Sequence, residues 1–145
     1  MDSLKKRINF LDAVVEKLGL EDVETLHGRA EDFAKQTAYR EQFDLCVSRA
    51  VANLSTLSEY CIPYIRVGGM FVSYKSGTVE DELKQSEKAV SLLGGKIEKT
   101  VKFQLPDTEI GRSFVKIKKI SETRKNTREK QDFQQKNHCH KTREK

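Results

Sequence analysis

Apolar side chains return every three or four positions in several stretches of the chain, which is the spacing of an amphipathic helix. Between residues 4 and 18 this spacing is followed directly by Gly19, which predicts a helix with a glycine stop. The same spacing in residues 54–65 predicts another helix, in which Pro63 indicates a kink or an early end. Residues 79–93 repeat the helical period and are followed by two glycines.

Short apolar runs and alternating segments separate these helices and predict strands. The first three are short, and the last two are longer and alternate apolar with polar residues, so we expect those two to pair antiparallel. The predicted strands are residues 23–26, 43–47, 70–74, 96–105 and 112–120.

A short second helix within residues 27–36 and a turn at Gly68 and Gly69 complete the order α, β, α, β, α, β, α, β, β. This alternation predicts an α/β, Rossmann-like fold, with helices packed on a mostly parallel sheet and an antiparallel C-terminal edge. We expect one domain over residues 1–120 and a basic, disordered tail over residues 121–145.

Composition supports one small domain with a polar end. The chain has 145 residues, of which 37% are hydrophobic and 34% charged, with a net charge of +5. Residues 121–145 hold eight Lys or Arg against four acids and so carry +4 of that charge. A basic tail suits an RNA or phosphate partner, but the same composition is typical of a solvated, disordered tail.

Cysteine usage and hydropathy indicate a cytoplasmic protein. Cys46, Cys61 and Cys139 are an odd number without recognisable spacing, which favours reduced thiols over a disulfide framework. The N-terminus lacks the apolar run of a signal peptide, and about 18 consecutive apolar residues occur nowhere. We therefore expect neither export nor a membrane span.

Two charged residues stand at positions where α/β folds bind ligands. Arg49 follows an apolar strand, and ligands of open α/β sheets bind outside the carboxyl ends of the strands; a salt bridge at the sheet edge is the alternative. Asp2 stands just before a helix, in the position of an acid that binds a nucleoside ribose. Capping of that helix is the alternative.

Residues 28–31, GRAE, form a predicted strand-to-helix turn where a backbone amide of Ala30 or Glu31 can hold the edge of a flat heteroaromatic ring. An acid that only complements the helix dipole is the alternative.

Residues 75–77, KSG, lack the glycine pattern of a phosphate loop and predict a plain turn. The HCH of residues 138–140 predicts no more than adventitious metal binding. No catalytic residue is identified from the sequence.

Four segments together resemble the RsmG family, also called GidB, over residues 2 to about 123. They are DSLKKRINFL, GRAEDFA, FDLCVSRAVANLSTLSEYCIPYIRVGGMFVSYK and LGGKIEKTVKFQLPDTEIGRSFVKIKKISET. The resemblance implies a class I methyltransferase-like sheet and methylation of guanine N7 in 16S rRNA of the small ribosomal subunit, with S-adenosyl-L-methionine as cofactor. It implies that Asp2 lies by the cofactor ribose, that Ala30 and Glu31 lie beside the adenine, and that Arg49 lines the cofactor or substrate cleft. We expect a cytoplasmic monomer.

The chain departs from this family pattern at both ends. It lacks the glycine-rich segment before the DS element, and with it the first, central strand, so we expect a truncated form that binds cofactor poorly or not at all. The tail reads TRKNTREK where the family has a TPKKYPRK type of extension, which suggests a frameshifted gene end. The alternatives are a noncatalytic RNA-binding or interaction domain and a gene fragment without function.

Overall fold

The computed structural model describes residues 1–49 and 52–124. Helices and strands alternate along this part of the chain, and a 3-10 turn at Ile62–Tyr64 joins the third helix to the second strand. The helices are α1 (Lys5–Leu18), α2 (Ala30–Phe33), α3 (Leu54–Cys61) and α4 (Glu80–Leu92), and the strands are β1 (Phe43–Arg49), β2 (Ile65–Ser76), β3 (Gly95–Gln104) and β4 (Gly111–Lys119).

The four strands form one mixed sheet in the order β1-β2-β4-β3. β1 and β2 are parallel, whereas β4 is antiparallel to both β2 and β3. The predicted α/β class and its antiparallel C-terminal edge are therefore confirmed. Within the described residues β1 pairs only with β2, so its other edge is open.

One face of the sheet carries the hydrophobic core. The side chains of Phe71, Val115 and Ile117 are buried on this face, against apolar residues of α3 and α4. Alternation along a strand sends the neighbouring residues to the opposite face, which we call the open face. In the described part of the chain no helix packs extensively on the open face, and α1 makes no extensive contact with any strand.

Local signals account for the helix ends. Gly19 adopts a left-handed conformation with φ of 60°, and its amide closes the last turn of α1. The side chain of Asn53 accepts a hydrogen bond from the Thr56 amide (3.0 Å), so Asn53 caps α3. α3 ends before Pro63, as the sequence predicts, and passes into the 3-10 turn.

Three predicted elements differ from the structure. Residues 23–26 form no strand and leave a single parallel bridge between Asp2 and His27, because no second extended segment lies beside them in the described chain. The second helix has only four residues. The expected turn at Gly68 and Gly69 lies inside β2, where the pairing with β1 changes register; Gly68 has φ of 91° and absorbs the irregularity.

A buried lysine joins distant parts of the chain. Lys119, at the end of β4, is 1% exposed, and its ammonium donates to the carbonyl oxygens of Ile62 (3.2 Å) and Leu93 (3.4 Å) and to the Thr123 hydroxyl. It also forms an ion pair with Glu41 at 3.2 Å. Burial lowers the pKa of Lys119. This network fixes residues 119–123 against the rest of the domain.

Most of the predicted tail, residues 125–145 with its HCH motif, lies outside the described residues. Among the helices that are described, none combines the length and the apolar character that crossing a membrane requires.

Candidate functional site

A cleft of about 910 Å³ separates the N-terminal segment from β1 and α3. It runs along the open edge of β1, where Leu45 and Val47 are each 55% exposed. The four site residues predicted from the sequence, Asp2, Ala30, Glu31 and Arg49, all line this cleft. Three separate stretches of the chain thus place these residues around one cavity.

Asp2 is held by the start of α1. One carboxylate oxygen accepts a hydrogen bond from the Leu4 amide (2.8 Å), and the other accepts from the Arg7 guanidinium (3.2 Å). The Leu4 hydrogen bond, with a smaller effect of Arg7, lowers the pKa of Asp2, so the group is ionised at neutral pH. A carboxylate offers about four acceptor sites, so two hydrogen bonds leave Asp2 able to accept more.

Backbone hydrogen bonds fix Asp2 beside the turn that precedes α2. The Asp2 amide donates to Leu26 (3.0 Å), and the Asp2 carbonyl accepts from the Gly28 amide (3.0 Å). Gly28 has φ of 154°, and an added Cβ would meet the ring of Phe33, so a glycine suits this turn. The strand predicted at residues 23–26 is absent, and the bridge between Asp2 and His27 lies next to that segment.

Ala30 and Glu31 are the first two residues of α2, where the helix does not use its own amide groups. The Ala30 carbonyl accepts a hydrogen bond from the Tyr64 hydroxyl, whose pKa is raised chiefly by burial. The Glu31 side chain is 9% exposed and pairs with Arg29 at 3.2 Å. The Tyr64 hydrogen bond attaches the start of α2 to the 3-10 turn that follows α3, and this contact fixes one wall of the cleft.

Arg49 ends β1 and is exposed. None of the ion pairs found among the described residues includes Arg49, which speaks against the alternative of a salt bridge at the sheet edge. Its backbone is in register with Tyr74 of β2, so its guanidinium lies at the carboxyl ends of two parallel strands. Ligands of open α/β sheets bind at this position.

A buried ion pair that sequence reasoning missed supports this end of the sheet. The Lys75 side chain is 8% exposed; its ammonium donates to the Ala52 carbonyl (2.8 Å) and to Glu82 (2.6 Å). Glu82 also accepts from the Leu54 amide (2.5 Å). Lys75 therefore has an internal partner, and it holds the segment that follows Arg49. The plain turn predicted at KSG differs from the structure, because Lys75 and Ser76 are the last residues of β2 and pair with β4.

Two free thiols lie on the inner wall of the cleft. Cys46 of β1 and Cys61 at the end of α3 both line it, and Cys61 is buried. A hydrogen bond with Cys46, and then burial, raise the pKa of Cys61, so its thiol is protonated at neutral pH. Among residues 1–49 and 52–124 no group of three His, Cys, Asp or Glu side chains has the arrangement of a metal site.

Comparison with known proteins gives one consistent match. The family model described as rRNA small subunit methyltransferase G (GidB) matches residues 1–111. The protein of that name from Clostridium novyi is 54% identical over 125 residues, and that from Lachnoclostridium phytofermentans is 51% identical over 125 residues. These matches cover 86% of this chain but 51% and 52% of the two relatives. The chain thus spans about half the length of the curated relatives it matches.

Solved structures share the fold at low sequence identity. An rRNA methylase from Streptococcus thermophilus has a TM-score of 0.58 at 14% identity, with 83% of this chain and 71% of that chain covered. M. jannaschii TYW2 in complex with AdoMet has a TM-score of 0.57 at 10% identity, with 81% of this chain and 56% of that chain covered. These similarities show that the fold is that of the class I methyltransferases.

Proposed function

The chain belongs to the rRNA small subunit methyltransferase G (GidB) family, and we propose that it forms the part of such an enzyme that binds S-adenosylmethionine and methylates guanine N7 in 16S rRNA. We expect this activity in the cytoplasm, where ribosomal subunits are made. The observation that supports the proposal most is the gathering of Asp2, Ala30, Glu31 and Arg49 around one cleft at the carboxyl end of β1.

The groups that line the cleft fit a nucleoside cofactor. Its volume of about 910 Å³ falls in the usual range of ligand sites, about 300–1,000 Å³. Asp2 provides an ionised carboxylate for ribose hydroxyls, and Ala30 and Glu31 lie where the family resemblance puts the edge of the adenine. Arg49 provides a planar fork of donors for a carboxylate or a phosphate.

The reaction needs alignment more than proton transfer. S-adenosylmethionine supplies an electrophilic methyl group, and guanine N7 already carries the lone pair that accepts it. Orientation of the two reactants therefore accounts for most of the catalysis that this chain has to provide. Accordingly, we assign Asp2, Ala30, Glu31 and Arg49 to binding and orientation and assign no general base.

A methyl-transfer assay tests the proposal. The chain is mixed with the part of the Clostridium novyi relative that it does not match, and tritiated S-adenosylmethionine and bacterial 30S subunits are added. We expect methyl incorporation at a guanine N7, mapped by chemical cleavage, and at least a tenfold loss on Arg49→Ala, the order of magnitude for losing one charge-assisted contact. The matched control is Arg66→Ala, because Arg66 pairs with the exposed Asp44 near the other end of the β1–β2 pair.

Two results would contradict the proposal. One is the absence of methyl incorporation although the two polypeptides form a complex. The other is equal activity of the Arg49→Ala and Arg66→Ala variants, which would remove Arg49 from the site.

A further inference from the structure

Four lysines form a compact group on the open face of the sheet. Lys96 and Lys99 lie on β3, and Lys116 and Lys118 lie on β4. Lys96 is the cross-strand partner of Lys118, and Lys99 is the partner of Lys116. Along β4 these two lysines alternate with the buried Val115, Ile117 and Lys119, so they project away from α3 and α4. With strands about 4.8 Å apart and alternate residues about 6.7 Å apart, the four ammonium groups stem from an area of about 5 by 7 Å. We call them the lysine quartet.

The quartet has no ion-pair partner within the described chain, and Glu98, in the β3 bulge between Lys96 and Lys99, forms no ion pair there either. The other strand lysines lie on the helix-covered face, and each has a glutamate: Lys75 pairs with Glu82, Lys102 with Glu80, and Lys119 with Glu41. None of the ion pairs among the described residues includes a lysine of the quartet. Like charges directly opposite each other destabilise a sheet, so this arrangement costs stability unless an anion binds there.

Aromatic rings lie on the same face beside the quartet. Tyr74, Phe114 and Phe103 come from three neighbouring strands, with ring centroids 4.7 Å apart in both pairs. Tyr74 is 42% exposed and is the backbone partner of both Arg49 and Phe114, so these two rings lie in the row of residues next to the lysines. Phe103 lies one row farther from the lysines. Cations beside an exposed aromatic ring are the combination that binds single-stranded nucleic acid, through phosphate contacts and base stacking.

We propose that the lysine quartet and Tyr74 form a binding surface for a single-stranded stretch of RNA, with the lysines on phosphates and the Tyr74 ring on a base. This inference deepens the proposed function, because it assigns to the RNA substrate a contact surface outside the cleft. Spacing between strands puts the quartet about 10–15 Å from β1, near enough for one RNA strand to reach both the surface and the cleft.

Binding of a fluorescein-labelled 20-nucleotide polyuridine to the 145-residue chain, without cofactor, tests the surface. In the quartet variant all four lysines are changed to Gln. The matched control changes four exposed helix lysines to Gln, namely Lys6, Lys17, Lys84 and Lys88, so that both variants lose the same charge and keep the same tail. For single strands, each lost phosphate contact reduces the magnitude of the slope of log K against log salt by about 0.7. We therefore expect this slope to be smaller by about 3 for the quartet variant and unchanged for the control variant.

Tyr74→Leu tests stacking separately. We expect at least a fivefold loss of polyuridine affinity and no loss for a duplex RNA, whose bases are not available for stacking.

We expect the quartet variant to keep or raise its thermal midpoint, because repulsion between the lysines is removed. Loss of folding would then not explain a weaker complex.

Equal salt slopes for the quartet and control variants would overturn the proposal, as would a Tyr74→Leu variant with unchanged polyuridine affinity. Because no cofactor is present, either failure is separate from a failure of methyl transfer.

Discussion

At the scale of single residues, charged side chains near the sheet have different partners and different consequences. Glu80, at the start of α4, forms an ion pair with Lys102 of β3, and this contact lowers the pKa of Glu80 to about 2. Both side chains are about half exposed, so the pair is partly screened by solvent. The ion pair is therefore easier to detect from the pH dependence of stability than from the size of its contribution to stability at neutral pH.

The Glu80–Lys102 pair predicts a loss of stability in acid. The unfolded chain binds the proton with a pKa near 4.5 and the folded chain with one of about 2, so between these values the unfolded state holds more protons. The stabilisation is present above about pH 4.5 and disappears as the pH falls towards 2. We expect Glu80→Gln to flatten this part of a plot of urea midpoint against pH. Glu87→Gln is the control, because Glu87 is exposed on the same helix without an ion pair in the described residues. An equal flattening of the plot by Glu87→Gln would contradict the assignment of this pH dependence to the Glu80–Lys102 pair.

At the scale of elements, two glycines end helices in the same conformation but in different surroundings. Gly19 ends α1 with φ of 60°, and a Cβ there would meet nothing within 4 Å. Gly94 follows α4 with φ of 82°, and a Cβ there would collide with the backbone of Ser121. The Gly94 carbonyl also accepts hydrogen bonds from the amides of Ile120 (2.8 Å) and Ser121 (3.1 Å), so this contact cannot open freely.

Alanine substitution should separate the two glycines. We expect Gly19→Ala to cost about 1 kcal/mol, the usual penalty of a left-handed alanine, and Gly94→Ala to cost about 2–4 kcal/mol because the collision is added. Urea unfolding of both variants measures the difference. Equal losses would mean that the segment after β4 moves away without cost.

The helices were predictable because their signals are local. The spacing of apolar residues and Gly19 place α1 within one residue of its observed start and at its observed end. β2 begins earlier than predicted because Gly68 and Gly69, which usually mark turns, are accommodated inside a strand by a change of register. That register depends on the neighbouring strand and is not visible in the local sequence.

At the scale of the whole molecule, the cleft is open along one edge of β1 within the described residues. Leu45 and Val47 are more than half exposed along the cleft, and the unpaired backbone groups of this edge face the same space. A cleft that is open along one side holds its ligand through fewer contacts than an enclosed one.

We therefore expect the 145-residue chain alone to bind S-adenosylmethionine weakly or not at all. Titration calorimetry should show binding only after addition of the part of the Clostridium novyi relative that the chain does not match. Tight binding by the chain alone would show that the described walls suffice.

The candidate site was predictable in part. The rule that ligands bind at strand ends indicated Arg49, and positions at helix starts indicated Asp2, Ala30 and Glu31. Each of these had a structural alternative, and the resemblance to the family favoured ligand binding. The structure places all four around one cleft, and their roles stay predictions. The lysine quartet was not predictable from the sequence. Its pairs depend on the register between β3 and β4, and its exposure depends on how the helices of the described residues are placed, none of which packs extensively on this face of the sheet.

The strand order also bears on how the chain folds during synthesis. β4 is the last strand of the described chain, yet it lies between β2 and β3. When β3 leaves the ribosome it has no neighbour to pair with, and it must wait until residues 111–119 have also emerged. Half of the strands in the described sheet therefore pair only after residues 111–119 have emerged, and a nascent chain stalled before residue 111 carries β3 as an unpaired segment that is exposed to aggregation.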